Sequence, residues 1–405
     1  MGSREVVIAS GVRTAIGELG GALAGITPCE LAATVAREAI VRSGADAKDV
    51  GQTVFGNVIH TAPEDMYLSR VAAIRAGIPE TSPALTLNRL CGSGLQAVVT
   101  ASEAILLGNA EIAIAGGAES MSRAGHLMSQ ARFGQKMGHT GATDMMVGAL
   151  TDPFGNGHMG VTAENVAKQY GIDRDVQDRL AVESHRRAAH AIAEGRFQEQ
   201  ILPITVKKGR AETVFYIDEH VRAEATLEDM RKLRPVFDRE GSVTAGNASG
   251  INDGAAAVVL MEGAVALERG LTPLAKIVSY GHGGVAPAVM GLGPIPAVRQ
   301  ALNRAGLSVA DMDVIESNEA FAAQACAIAK DLGFPENKTN PNGGAIALGH
   351  PIGASGAILL VKLAYELRRI KGRFGLVTMC IGGGQGIAVI VENTGACLRT
   401  GSSLY

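Results

Sequence analysis

The chain has 405 residues, of which 47% are hydrophobic and 19% are charged. Because one domain usually spans about 100–200 residues, we expect at least two substantial cores, and this composition excludes a disordered chain. The formal net charge is −3, so no overall field draws the protein to nucleic acid or to an anionic membrane. We therefore expect a globular protein that has neither nucleic acid nor a membrane as a partner.

The cysteines and histidines show no metal-binding pattern. The five cysteines include no CxxC pair, and their odd number disfavours a disulfide framework. His185 and His190 lie five residues apart on a predicted helix beside Arg186 and Arg187, which is typical of a solvated face. The N-terminus lacks the apolar run of a secretory signal, and no apolar run approaches the about 20 residues that span a bilayer. We predict a cytoplasmic protein with no metal site.

Apolar runs typical of strands alternate with segments of helical periodicity from the N-terminus onward. This alternation is typical of α/β proteins, in which helices pack one face on a sheet. The predicted strands are 6–9, 53–55, 84–87 and 112–115, and the predicted helices are 31–42 and 95–107.

The same order of elements returns about 260 residues later. Residues 38–57 and 300–319 each read as a helix ending in Arg-x-Gly, an acidic connector and a strand. Residues 86–98 and 343–359 each read as a strand, a glycine-rich turn and a helix. These parallels indicate two copies of one α/β unit.

The repeat also sets the expected domain boundaries. Residues 121–250 lie between the copies and are rich in loops and in basic residues, which indicates an inserted loop domain. The apolar run near 255–261 is expected to return to the first sheet. The first copy then comprises 1–120 with 251–270, the second comprises 271–393, and 394–405 forms a tail to which we assign no function.

Cys91 lies where a predicted strand meets a predicted helix, and Gly92-Ser93-Gly94 follow it. The positive end of a helix dipole favours a thiolate, so this cysteine is a candidate nucleophile. The glycines allow backbone N–H groups to approach a reacting oxygen closely. The alternative is that Cys91 is a small buried hydrophobe, as most single cysteines are.

Three further residues occupy corresponding strand ends or turns of the second copy. His350 lies in a Gly/Pro turn and is either a base for Cys91 or a structural turn residue. Cys380 ends a strand before Gly382-Gly383-Gly384 and is either an acid/base or a buried strand terminus. Asn318 follows a strand and either holds a water or carbonyl oxygen or is a turn residue.

Four motifs together resemble the active-site motifs of thiolases, in the same order. The motifs are NRLCGSGLQAV around Cys91, NEAFAAQ from Asn318, GGAIALGHPIGASG around His350 and CIGGGQG from Cys380. The resemblance runs from about residue 4 to about residue 392 and is nearest to bacterial biosynthetic acetyl-CoA acetyltransferases and β-ketothiolases. It implies the α/β thiolase fold, in which two βαβαβαββ halves form a five-layered α-β-α-β-α core with an inserted loop domain.

The resemblance implies a role for each motif residue. Cys91 would become acylated from an acyl-CoA while His350 favours its thiolate, and Cys380 would remove the α-proton of a second acyl-CoA. One oxyanion hole would consist of His350 with a water held by Asn318. The other would consist of the backbone N–H groups of Cys91 and Gly382.

The resemblance also implies a binding site for coenzyme A, which would be substrate and product rather than a permanent cofactor. The substrates would be acetyl-CoA and short-chain 3-ketoacyl-CoA. A homotetramer built as a dimer of dimers is implied, with residues 123–141 joining the dimers. The matching binding positions are Leu150, His158, Met159, Arg222, Phe237, Ala245, Ala248, Ser249, Met290, Ala320 and Phe321.

Three alternatives remain open at this point. A degradative 3-ketoacyl-CoA thiolase of fatty-acid β-oxidation uses the same residues. A decarboxylating ketoacyl synthase or a hydroxymethylglutaryl-CoA synthase shares the fold and the nucleophile but replaces the Cys380 motif. A non-catalytic scaffold of the same fold is expected to lack Cys91 or His350, and this chain has both.

Overall fold

The computed structural model describes residues 4–209 and 211–395, so Cys397 and tail residues 396–405 lie outside the described part. The strands of this part are β1 (Val6–Thr14), β2 (Gly17–Glu18), β3 (Gln52–Gly56), β4 (Ala84–Leu87), β5 (Ile112–Ser120), β6 (His126–Leu127), β7 (Thr143–Asp144), β8 (Thr151–Asp152), β9 (Gly157–His158), β10 (Ile201–Leu202), β11 (Ile204–Lys208), β12 (Ala211–Phe215), β13 (Asn252–Glu262), β14 (Ala275–Gly284), β15 (Met312–Ser317), β16 (Phe374–Ile381) and β17 (Gln385–Glu392). The α-helices are α1 (Pro28–Ser43), α2 (Leu68–Arg75), α3 (Ser93–Leu106), α4 (Met145–Ala149), α5 (Met159–Tyr170), α6 (Arg174–Ala193), α7 (Leu227–Lys232), α8 (Gly263–Glu268), α9 (Pro294–Ala305), α10 (Ala322–Leu332), α11 (Ala345–Leu348) and α12 (Ser355–Ile370).

The pairing of the strands is duplicated. In the first half, β3 is parallel to β5, β5 is antiparallel to β13, and β13 is antiparallel to β1. In the second half, β15, β16, β17 and β14 repeat the same order and the same senses. The two halves join through β1 and β14 by only two residue pairs, Val7 with Lys276 and Ile8 with Ala275. Each half is therefore a nearly independent sheet.

Helices complete five layers. Helix α1 packs on β1, β13 and β5, and α9 packs on β14 and β17, one on each outer side. Helix α12 contacts both β13 and β16, and α3 contacts β3, β5 and α12, so these two helices lie between the sheets. The α-β-α-β-α order expected from the resemblance is confirmed.

The buried pattern of each helix matches its layer. Helix α1 begins with a capping box between Thr27 and Glu30 and ends at Gly44 in the left-handed conformation, and it keeps a polar face toward solvent. Helix α12 is buried along its first ten residues, as the middle layer requires. Even Lys362 is only 2% exposed, and its Nζ donates to Glu316 Oε2 at 2.9 Å. A buried ion of this kind needs a close partner, and Glu316 provides it.

Helices α3 and α12 meet at two glycines with no side chain between their backbones. A Cβ atom on Gly94 would lie 2.8 Å from the backbone nitrogen of Ala357. A Cβ atom on Gly356 would lie 2.6 Å from the Cβ of Leu95. Cys91 precedes α3 and His350 precedes α12, so this crossing brings the two turns together.

The inserted segment is anchored to the first half by a buried ion pair. Arg13 of β1 donates to both carboxylate oxygens of Asp218 at 2.8 and 3.0 Å, and both side chains are fully buried. Strand β10 pairs with the end of β1.

The expectation that His185 lies on a solvated face is wrong, because it is 4% exposed and its Nδ1 accepts from the backbone N–H of Arg222 at 3.1 Å.

The predicted strand at the start of 343–359 is also wrong. Residues Ala345–Leu348 form the short helix α11. The carboxylate of Glu319 accepts from the backbone N–H of Ile346 at 3.3 Å, and the hydroxyl of Ser184 accepts from that of Gly344 at 3.0 Å. Side-chain acceptors thus satisfy the free N–H groups of a helical turn, which apolar periodicity alone does not reveal.

We expect Gly356→Ala to destabilise the protein by about 1–3 kcal/mol, because overpacking a well-packed contact forces the backbones apart. The measurement is the denaturant midpoint of unfolding. Gly148→Ala is the matched control, since Gly148 is also helical but a Cβ atom there would have no neighbour within 4 Å. Equal midpoints for the two variants would contradict the role of this crossing.

Candidate active site

A cavity of about 500 Å³ opens between the two halves and the inserted segment. The candidate residues that line it are Cys91, Leu150, His158, Met159, Phe237, Ala245, Ala248, Ser249, Met290, Ala320, Phe321, His350, Cys380 and Gly382. Residues from all three parts of the chain therefore converge on one space. Two candidates, Asn318 and Arg222, do not line this cavity.

A strained turn presents Cys91 to the cavity. The preceding Leu90 has φ of 45°, in the left-handed region that branched residues rarely adopt. Its N–H donates to Asn88 Oδ1 at 2.9 Å, and its carbonyl accepts from the Ser93 hydroxyl at 2.7 Å. These bonds hold the turn, and strain of this kind is characteristic of functional sites.

In the resting protein, burial outweighs the backbone dipoles that favour the Cys91 thiolate. Burial raises the pKa of the Cys91 thiol to about 11, and the nearby Glu119 carboxylate raises it further. The backbone N–H groups of Gly382 and of Cys91 itself act in the opposite direction by donating to the sulfur. Burial outweighs these dipoles, so the thiol needs a base.

His350 can supply that base. Burial lowers the pKa of the imidazole to about 4, so the ring is neutral near pH 7. The Ser355 hydroxyl donates to the carbonyl of Pro351 at 2.9 Å, so the 2.7 Å contact between this hydroxyl and His350 Nδ1 requires Nδ1 to donate. The other nitrogen, Nε2, therefore carries a lone pair that can accept a proton.

Asn318 lies behind His350. Its Nδ2 is 3.5 Å from His350 Nε2, and its backbone N–H donates to the carbonyl of Thr378 at 3.0 Å. Its Oδ1 is buried without a hydrogen-bond partner in the described part of the chain. A buried oxygen of this kind normally binds a water or a ligand donor, which is what the implied role requires.

Cys380 is the penultimate residue of β16, not its last as the sequence suggested, and it is 1% exposed. Burial raises the pKa of its thiol above the ordinary range, and the neighbouring Cys91 raises it further. Gly382 follows in the turn, where a Cβ atom would lie 2.9 Å from Met159 Cε and 3.1 Å from Leu90 Cδ1. Glycine leaves room here for the ends of the Met159 and Leu90 side chains, and its N–H lies close to the Cys91 sulfur.

Aromatic and methionine side chains form the wall of the cavity. The rings of His158 and Phe237 stack with centroids 4.7 Å apart, and Phe321 packs edge-on against Phe237 at 6.3 Å. Met159 and Met290 are 5% and 3% exposed beside them. This wall is apolar, as a site for an acyl or pantetheine chain requires.

Arg222 does not belong to the lining of the cavity. Its guanidinium forms an ion pair with Glu18 and is more than half exposed, at the rim outside the lining residues. Glu18, Leu19 and His220 also line the cavity near Arg222, and none of them was predicted as a site residue. Their positions give no local signal, because they come from separate segments that only the fold brings together.

Other lining residues were also missed. Leu90 and Ile352 are close in sequence to Cys91 and His350. Because they belong to the same turns as these two candidates, the sequence could have predicted that they line the site.

Within residues 4–209 and 211–395, no group of three acidic, histidine or cysteine side chains is arranged to hold a metal ion. In the same ranges, no helix has both the length and the apolar character needed to cross a membrane.

Family models match nearly the whole chain. The model described as thiolase, N-terminal domain, matches residues 6–264, and the model described as thiolase, C-terminal domain, matches residues 271–393. The chain is 62% identical to beta-ketothiolase BktB of Cupriavidus necator over 391 residues, covering 96% of this chain and 99% of that protein. It is 50% identical to acetyl-CoA acetyltransferase of Escherichia coli over 392 residues, with the same coverage.

Solved structures give the same result. Human mitochondrial 3-ketoacyl-CoA thiolase in complex with CoA superposes with a TM-score of 0.94 at 43% identity, covering 96% of this chain and 98% of that chain. Acetyl-CoA acetyltransferase of Bacillus anthracis superposes with a TM-score of 0.94 at 45% identity, covering 96% and 99%.

We expect His350→Asn to slow alkylation of Cys91 by iodoacetamide at least about tenfold at pH 7, because only a thiolate reacts and the thiol would lose its proton acceptor. In this variant the alkylation rate should still rise with pH, because burial holds the pKa of the Cys91 thiol well above 7. Mass spectrometry of the Cys91 peptide measures the rate. His190→Asn is the matched control, since the His190 side chain is 53% exposed. Equal rates in both variants would contradict the assignment.

Proposed function

Because the chain belongs to the thiolase family, we propose that it is a β-ketothiolase, which joins two acyl-CoA molecules into a 3-ketoacyl-CoA and free CoA and also catalyses the reverse cleavage. The observation that carries this proposal is the convergence of Cys91, His350 and Cys380 on one cavity. The pair of thiols favours a thiolase over a synthase with a different base. The presence of Cys91 and His350 in one site likewise favours an enzyme over a scaffold.

The first half-reaction is acyl transfer to Cys91. His350 Nε2 takes the thiol proton, and the thiolate adds to the thioester carbonyl. The backbone N–H groups of Cys91 and Gly382 already point at the sulfur and would stabilise the oxyanion that forms beside it. The C–S bond to CoA then breaks, and the departing CoA thiolate takes a proton from Cys380.

The second half-reaction is carbon–carbon bond formation. Cys380, now a thiolate, removes the α-proton of the second acyl-CoA, and the protonated His350 with Asn318 stabilises the enolate oxygen. The enolate carbon attacks the acyl-Cys91 carbonyl, and collapse of this adduct releases 3-ketoacyl-CoA and the Cys91 thiolate. His350 returns its proton to Cys91, so all three groups regain their starting state.

Coenzyme A serves as substrate and product, and the proposal includes no permanently bound cofactor. The stacked His158–Phe237 wall suits the pantetheine chain. Met159 and Met290 border the acyl end, and methionine adapts readily to an extra methylene. We therefore propose short-chain substrates, with acetoacetyl-CoA and 3-ketovaleryl-CoA both cleaved. One methylene changes binding by only about 1–3 kcal/mol, so their specificity constants should differ by less than about a thousandfold.

The proposed assembly is a homotetramer, a dimer of dimers. Residues 123–141 are mostly exposed and carry large apolar side chains, with Phe133 90% and Met137 91% exposed. Apolar side chains this exposed favour a protein contact. We also propose a cytoplasmic location, because the mechanism needs two reduced thiols and the cytoplasm keeps thiols reduced.

The direct test is cleavage of acetoacetyl-CoA that depends on added CoA. The purified protein should show this activity, and Cys91→Ser should lose it by at least about a thousandfold, because a serine hydroxyl ionises far less readily than a thiol. After mixing with acetyl-CoA, mass spectrometry should find the acetyl group on Cys91. Acetylation of Cys380 with Cys91 unmodified would overturn the assignment.

A second variant separates the two half-reactions. We expect Cys380→Ala to acquire an acetyl group on Cys91, since the base for acylation is His350, although release of CoA becomes slow. The same variant should not exchange the α-protons of bound acetyl-CoA with deuterium, because the base for that step is missing. Mass spectrometry of acetyl-CoA recovered from deuterated buffer measures the exchange, and an exchange rate equal to that of the wild type would exclude the role.

A further inference from the structure

Glu119 is a buried carboxylate next to the site that takes no part in the proposed proton transfers. Glu119 is fully buried near the end of β5 and accepts four N–H groups. Its Oε1 accepts from Asn57 Nδ2 at 3.2 Å and from the backbone of Ile59 at 3.1 Å. Its Oε2 accepts from the backbones of Val58 at 3.0 Å and Gly353 at 2.9 Å. The carboxylate thus joins the segment after β3 to the turn that carries His350.

The His350 turn lies directly on the strand that carries Glu119. A Cβ atom on Gly117 would lie 2.9 Å from the Cα of Ala354. A Cβ atom on Gly353 would overlap Glu119 Oε2. The turn from His350 to Ala354 therefore lies between the backbone of β5 and the Glu119 carboxylate. Gly353 makes the contact with the carboxylate, and a side chain at this position would not fit.

The duplicated register shows which position Glu119 occupies. Gly56, the last residue of β3, pairs with Gly117, two residues before Glu119. In the second half Ser317, the last residue of β15, pairs with Thr378, two residues before Cys380. Glu119 is thus the first half's counterpart of Cys380. Asn57 and Asn318 are likewise the first residues after equivalent strands.

We propose that Glu119 is a positioning residue for catalysis, which holds the His350 turn at the distance from Cys91 that proton transfer requires. This role rests on the proposed thiolase function. The second half thus contributes Cys380, which reacts. The first half contributes Glu119 at the equivalent position, and this carboxylate holds the turn of His350 in place. Glu119 itself transfers no proton to the substrate.

The four donors require an acceptor-only group. A carboxylate satisfies all four, whereas a protonated carboxyl group or an amide presents a donor to at least one of them. Burial raises the pKa of Glu119 to about 8, with the nearby Asp65 adding to the rise, while the N–H groups of Ile59, Val58 and Gly353 lower it. The hydrogen bonds from these N–H groups thus favour the charged form and oppose the effect of burial, which favours the protonated form.

The test compares Glu119→Gln with the wild type and with Glu366→Gln. Glu366 is also a buried carboxylate with hydrogen bonds, but it lies in α12 outside the cavity lining. We expect kcat for CoA-dependent cleavage to fall about 10- to 100-fold in Glu119→Gln, with KM within about twofold, because misplacement by about 1 Å can lower a rate about 100-fold. Glu366→Gln should retain the wild-type kcat.

Hydrogen exchange supplies a readout that does not depend on activity. The Gly353 amide should exchange faster in Glu119→Gln than in the wild type and the control, measured by mass spectrometry of the peptide that contains it. Glu119→Asp retains the charge but is one methylene shorter, so its kcat should fall less than that of Glu119→Gln. This variant tests the inference if Glu119→Gln does not fold.

The outcomes are distinguishable. A wild-type protein without cleavage activity would refute the proposed function, and the positioning role with it. An active wild type whose kcat is matched by folded Glu119→Gln would overturn the inference alone. The inference also fails if Gly353 exchange is unchanged, or if kcat falls equally in Glu119→Gln and Glu366→Gln, since an equal fall reports only a smaller fraction of folded enzyme.

Discussion

The close approach of helices α3 and α12 is the constraint on which the site depends. Gly94 and Gly356 allow the two backbones to touch, and the turn before each helix carries one of the two groups that must exchange a proton. A side chain at either glycine would separate the turns that hold Cys91 and His350. Because both helices are also packed between the sheets, the middle layer fixes the geometry of the chemistry and not only that of the core.

Burial determines the resting charge state of the site. The same removal from water raises the pKa of the Cys91 and Cys380 thiols and lowers that of His350, so all three groups are neutral before substrate arrives. An ion pair formed in advance would carry a desolvation penalty. Because Cys91 and His350 are neutral at rest, the thiolate forms only when a thioester is present to react with it. This limits side reactions of a free thiolate.

Much of this architecture could be predicted from the sequence, because it follows from repetition. The parallel between 38–57 and 300–319 predicts two equivalent halves, and that symmetry alone suggests that the turns of Cys91 and His350 meet. The contacts within one half and across the middle layer could therefore be predicted from the sequence. The short helix α11 was not, because Glu319 and Ser184 stabilise it from distant parts of the chain.

The sign of the Cys91 pKa shift and the place of Arg222 could not be predicted for a related reason. A helix dipole is visible in the sequence, but the burial that outweighs it depends on residues from three segments. Arg222 is paired with Glu18, about 200 residues earlier in the chain, and no local pattern reports that pairing. Glu119 gave no signal either, because its four donors become visible only when its neighbouring segments are folded.

The order of the strands has a consequence for synthesis of the chain on the ribosome. In the first sheet β13 lies between β1 and β5, yet it begins 246 residues after β1 begins. Among the described residues, the only strand made earlier than β13 that pairs with β1 is β10, and this pairing consists of two residue pairs. An apolar strand must therefore remain without its main partner while the whole inserted segment is translated, and the second half can follow only afterwards. During that interval β1 presents an unpaired strand edge, which is a feature that makes a growing chain prone to aggregate.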